Sequence, residues 1–162
     1  TEIYTLSLHD ALPIFQQPTS NSQHPMKAVF DLGERLLNYG AAVIRVCNQV
    51  RPSRAGQHVA DQMLRAGTSP LFNHGEADAA ESPADFIHKM SICLKELRET
   101  RRALPLIRRV PLVDKFEPVD DLLSETEELI RIFFTSIRTA RSKVVREPGV
   151  DYGTPTGTEA PG

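Results

Sequence analysis

The chain has 162 residues, 40% hydrophobic and 25% charged, which suits one ordinary globular domain and leaves no run of roughly 18–20 apolar residues for a membrane span. Trp is absent and aromatics make up only 6%, so the core must be mainly aliphatic, as helix packing favours. The net charge of −2 hides an asymmetry: all 19 Lys and Arg lie within 26–146, with 16 of the 21 Asp and Glu, so that span is +3 and the ends are acidic. A surplus so small says little for a polyanion partner.

The opening TEIYTLSLHDALPIF lacks a basic leader and makes a poor signal peptide. It resembles the translated read of a sequencing adapter, and 1–15 is set aside as adapter-derived. The polar, Pro-containing stretch that follows completes a disordered extension over 1–25, with Met26 as the expected start. Residues 147–162, rich in Gly, Pro and Thr, read as a disordered tail.

Between these ends, over 26–146, four segments carry helical period. The first spans 31–50, with Leu32, Leu36, Tyr39, Val43, Val46, Cys47 and Val50 on one face; RPSRAG breaks it. The second spans 56–80 and holds Pro70, which predicts a kink or bend. In the third, Ser82 is a candidate N-cap, Pro83 suits the first helical position and Asp85 sits where a capping-box acid belongs. Its stripe is Phe86, Met90, Cys93, Leu97 and Leu104, with an end near Arg109 and a distortion allowed for at Pro105. The fourth starts near Pro118 and runs to Arg146, acidic at its start and basic at its end, as the helix dipole favours. Val119, Leu122, Leu123, Leu129, Ile130, Phe133, Ile137 and Ala140 form its stripe. Four amphipathic helices with short connections predict an all-α, antiparallel up-down-up-down four-helix bundle.

Some apolar residues fall off these stripes. Leu37 and Ile44 lie roughly 100° round the first helix from its core face. On the second helix Val59, Met63, Pro70 and Ala77 share one face, with Leu64 and Leu71 roughly 110° further round. A helix that is apolar on more than one side expects more than one neighbour. Leu37, Ile44, Leu64 and Leu71 are therefore the candidate self-association surface, against the plainer reading of a wide core face. Gln62, Arg65, Ser69, Asn73 and Glu76 form a polar stripe beside the apolar face. That stripe reads first as a network fixing helix packing and second as a binding site. Gly33 and Gly40 suggest close helix approach, since glycine otherwise weakens a helix.

Catalytic and metal patterns are missing. No Glu-x-x-His motif, P-loop or GxGxxG occurs. His74 and Asp78, one turn apart, are too few to hold a metal, His58 and His88 lack convergent partners, and Ser69 lacks a His–acid pair. Neither an enzyme, a cofactor nor a small-molecule substrate is expected. Cys47 and Cys93 match no metal spacing and read as buried thiols of a reducing, cytoplasmic compartment. One constellation remains: Lys95, Arg98, Arg102 and Arg109 share a face of the third helix, flanked by Arg101 and Arg108. Such a stripe could track phosphates of RNA or DNA; equally, with Glu96 and Glu99, it could be a solvated, salt-bridged face. Aromatic residues interleaved along that helix for base stacking are missing.

Two runs, RAGTSPLFNHGEA at 65–77 and DFIHKMSICLKELRET at 85–100, resemble the signature of the bacterial four helix bundle protein family. That family includes proteins encoded in intervening sequences of large-subunit ribosomal RNA genes. It is also similar to accessory proteins of diversity-generating retroelements. The resemblance covers about 30–142. It implies an antiparallel bundle, a ring-like homo-oligomer that is often a pentamer, and no known enzymatic activity. The retroelement relatives are basic and contact nucleic acid and a reverse transcriptase; this chain departs from them in its +3 bundle. The residues matching the family motif, Arg65, Ser69, Asn73, Glu76 and Glu96, are expected to serve assembly and helix packing. Leu71 and Phe72 stand where relatives usually carry small residues. The leading expectation is a non-enzymatic homo-oligomeric scaffold, and the alternative is a nucleic-acid-binding accessory protein.

Overall fold

A computed structural model describes residues 31–146, save the side chain of Arg146. The extensions 1–25 and 147–162, and Met26 with them, lie outside the described residues. Four helices follow one another: α1 (Leu32–Gln49), α2 (Arg54–Asp78), α3 (Pro83–Arg109) and α4 (Glu117–Arg146). No strand occurs among the described residues. Each helix packs on the next, and α1 meets α4 to close an up-down-up-down four-helix bundle. The α2–α3 and α3–α4 seams are extensive; α1–α4 is the sparsest.

Local chemistry sets the helix starts. Asp31, Ser53 and Ser82 each accept a hydrogen bond from the N–H three residues on, at 3.0–3.1 Å. This satisfies an amide that the first turn would otherwise leave open. Ser82 and Pro83 play the parts their spacing predicted, and α3 ends at Arg109. Because Ser53 caps α2, that helix starts two residues ahead of Gly56. Both α2 and α3 run uninterrupted through their internal prolines, Pro70 and Pro105. The α1–α2 and α3–α4 connections lie at the same end, where the Arg51 amide donates to the Leu112 carbonyl at 2.8 Å and the Arg51 side chain bridges Asp114 at 2.6 Å.

The predicted stripes meet in one core: Leu36, Val43, Met63, Met90, Leu97, Leu104, Leu129 and Phe133 are all fully buried. Close approach of α1 and α2 occurs at Gly67, not at Gly33 or Gly40. A Cβ at Gly67 would lie 2.6 Å from a Val43 methyl, whereas one at Gly40 would meet Leu71 at an ordinary 4.0 Å. Across the sparse α1–α4 seam, polar bonds supplement packing. Arg35 grips Glu125 through Nε and Nη2 at 2.6 and 2.8 Å and reaches Glu128 at 2.6 Å. Thr126 spends its hydroxyl proton on the Leu122 carbonyl at 2.6 Å, so the buried Tyr39 hydroxyl, 3.0 Å away, donates to Thr126. Among the described residues no helix is long and apolar enough to cross a membrane.

Candidate functional site

Two outward surfaces stand apart from the core. The first joins α1 and α2. Leu37, Ile44 and Leu64 are 51%, 45% and 37% exposed. Leu71 is partly buried and packs against the core, so it borders this surface rather than forming its centre. Phe72, 65% exposed, is the larger apolar side chain there. It lies eight residues beyond Leu64, about 80° further round α2 and directly away from the core face. The Leu71–Phe72 pair was visible in the sequence, but the exposure of Phe72 became plain only once α2 was set against its neighbours.

The polar stripe of α2 divides into separate pairs. Arg65 donates to Gln62 at 2.6 Å, and the Asn73 amide donates to the Ser69 hydroxyl and carbonyl at 3.0 Å. Only Glu76 reaches another helix, through an ion pair with Lys89 of α3. That partner raises the Lys89 pKa. Gln62, Arg65, Ser69 and Asn73 thus bond within α2, and the contact between helices rests on Glu76.

The second surface is cationic. Lys95, Arg98 and Arg102 of α3 face Arg138 and Arg141 of α4 across a groove of about 780 Å³, which one carboxylate, Glu99, also lines. Phe134 also lines this groove, half exposed at 50%. Arg109 does not line it, and flanking Arg108 is occupied by an ion pair with Asp120 and a contact over the Phe116 ring at 5.7 Å. The aromatic missing from α3 is supplied by α4. Its signal was present as Phe134, Arg138 and Arg141 at i, i+4 and i+7, one face of α4 beside its core stripe.

The two thiols and His74 are sequestered, while His58 and His88 are exposed. Burial pushes the Cys47 thiol up to about 11 and Cys93 up to about 12, so neither is a ready nucleophile at neutral pH. Both lie near carbonyls, Cys47 at 3.5 Å from Ala60 and Cys93 at 3.6 Å from Pro70. His74 is buried edge-on to Phe133 with ring centroids 6.2 Å apart, and burial lowers its pKa. No group of three or more His, Cys, Asp or Glu among the described residues could share a metal ion. A further groove of about 900 Å³ follows the α1–α4 seam, with Tyr39, Ala42, Val46 and Leu122 among its apolar lining.

Comparison with known proteins places this arrangement. No curated protein matches the chain. The chain resembles the crystal structure, at 1.70 Å resolution, of a protein with unknown function from the S23 ribosomal protein family of Bacteroides thetaiotaomicron VPI-5482. The two share 27% identity and a TM-score of 0.61, covering 67% of this chain and 99% of the other. The 23S rRNA-intervening sequence protein family matches residues 35–135, more than half of the chain, and the chain belongs to that family.

Proposed function

We propose that the protein is a non-enzymatic, cytoplasmic scaffold that assembles with copies of itself. The observation that carries this reading is the apolar α1–α2 surface, where Leu37, Ile44, Leu64 and Phe72 all stand in water on a single chain. Large apolar side chains gathered on two neighbouring helices are costly to leave solvated and gain about 25 cal/mol for each Å² removed from water. A closed ring, the pentamer that the family resemblance implies, buries such a face on every copy when its contacts are head to tail. Light scattering on the full chain tests this. The expected mass is a multiple of the 18.0 kDa chain. Replacing Leu37 and Ile44 together by Asp is expected to shift the mass to that of one chain with helical circular dichroism retained. A strict monomer of the unaltered protein at high concentration overturns the proposal.

A second reading, a nucleic-acid-binding accessory protein, is favoured by the α3–α4 groove. Elsewhere Arg35, Arg51, Lys89 and Arg108 are each matched to a carboxylate. Among the described residues, no ion pair engages Arg98, Arg102, Arg138 or Arg141. Repetition of this groove around a ring would add its contacts together.

A further inference from the structure

We infer that the α3–α4 groove takes single-stranded nucleic acid in preference to duplex, with Phe134 as the platform for an unpaired base. This rests on the second reading above and goes beyond it by naming the form of the ligand. A row of cations alone suits any polyanion, because phosphates are the same on one strand or two. Phe134 is what discriminates. It lies among five cations, Lys95, Arg98, Arg102, Arg138 and Arg141, which outnumber the one carboxylate of the lining, Glu99, and half of its surface is open to solvent. Its neighbour Phe133 is fully buried, so the bundle gains its aromatic core contact without Phe134. An exposed ring between cations can stack on a base face only if that face is open, and in a duplex neighbouring pairs cover it.

The arrangement also sets a scale. The groove, at about 780 Å³, has room for a short stretch of one strand, with cations on both walls to meet its phosphates. Arg138 and Arg141 follow Phe134 at the spacing of one helix face, so a strand crossing the ring passes these guanidinium groups next. Lys95 lies 3.6 Å from Glu96 and keeps its ammonium largely in water, so it contributes less than the four arginines.

The test is fluorescence anisotropy of the full chain with a labelled 12-nucleotide RNA, the DNA of the same sequence and the matching duplexes, each in two salt concentrations. Tighter binding of both single strands than of the duplexes is expected. With about four phosphates neutralised, the single-strand affinity should fall roughly 50-fold between about 50 and 200 mM salt. Phe134→Ala should weaken single-strand binding about 10-fold and leave duplex binding unchanged. Phe134→Trp should restore it, while Arg138→Ala with Arg141→Ala should weaken both forms. Helical circular dichroism confirms that each variant folds.

Duplex bound as tightly as single strand, with Phe134→Ala silent, overturns the single-strand inference and leaves the nucleic-acid reading standing. Absence of binding to every probe at micromolar protein in low salt overturns both. A change of assembled mass in Phe134→Ala without a change in affinity assigns the groove to a neighbouring copy and also overturns the inference.

Discussion

The α1–α2 and α3–α4 halves of the bundle share a core yet present different chemistry to water. The first shows leucine, isoleucine and phenylalanine; the second shows Lys95 and four arginines around a single ring, with Glu99 beside them. Association through the first face should persist or strengthen in salt, because apolar burial does not depend on screened charge. Polyanion binding at the second should fade over the same range. A single chain can therefore assemble and bind at once, and the two activities should separate along a salt titration.

The sharpest break in this comparison lies between adjacent residues. Phe133 is wholly inside and Phe134 is half outside. Phe133→Ala removes a ring from the centre of the bundle and should cost about 3–5 kcal/mol in urea unfolding. Phe134→Ala should stay within about 0.5 kcal/mol of the unaltered protein, as surface changes do. An equal loss from both would mean that the α3–α4 face is part of the core rather than a surface in its own right.

A smaller effect tests the other half. An alanine methyl at Gly67 would meet both Val43 methyls, at 2.6 and 2.7 Å. Valine cannot easily swing aside, because its χ1 is restricted in a helix. Overpacking of this kind costs about 1–3 kcal/mol, against a gain of about 1 kcal/mol from replacing glycine in a helix. Gly67→Ala should thus lose up to about 2 kcal/mol in thermal unfolding. It should weaken self-association by displacing α1 from α2, while groove affinity stays unchanged. A stabilised variant would show that the two helices can part at no cost.

These two sites mark how far the sequence could be read. Apolar spacing along each helix was enough to place Leu36, Met90, Leu97 and Phe133 in one core, because a 3.6-residue period reports directly on a single helix. The cap at Ser82 was legible for the same reason: its bond is local. The cationic groove was half legible. Lys95, Arg98 and Arg102 share a helix, but Arg138, Arg141 and Phe134 join them only through the way α4 is rotated against α3. No single-helix period contains that rotation. Gly67 was missed likewise, since glycine reveals its purpose only when the facing residue, Val43, is known. The polar stripe of α2 was legible as a stripe, but its partners were not: side chains one turn apart found each other first.

The smallest expected effect concerns what joins the halves. His74 of α2 stands edge-on to Phe133 of α4, linking helices that are not neighbours in the chain. Its Nε2 is buried without a hydrogen-bond partner among the described residues. Burial lowers its pKa from the ordinary 6.5, although the carboxylates of Asp78, 3.4 Å from Nδ1, and of Asp31 pull the other way. The unfolded chain therefore binds the proton more readily than the folded one. Stability should be complete above about pH 6.5 and decline as the pH falls below it, by at most about 1 kcal/mol from this residue at pH 6. His74→Leu removes both the titration and the unpartnered nitrogen while keeping an apolar contact with Phe133. Urea midpoints at pH 7.5 and pH 6 should draw together in this variant relative to the parent. If the pH dependence is unchanged, His74 is already protonated or solvated in the folded bundle, and packing alone joins the apolar half to the cationic one.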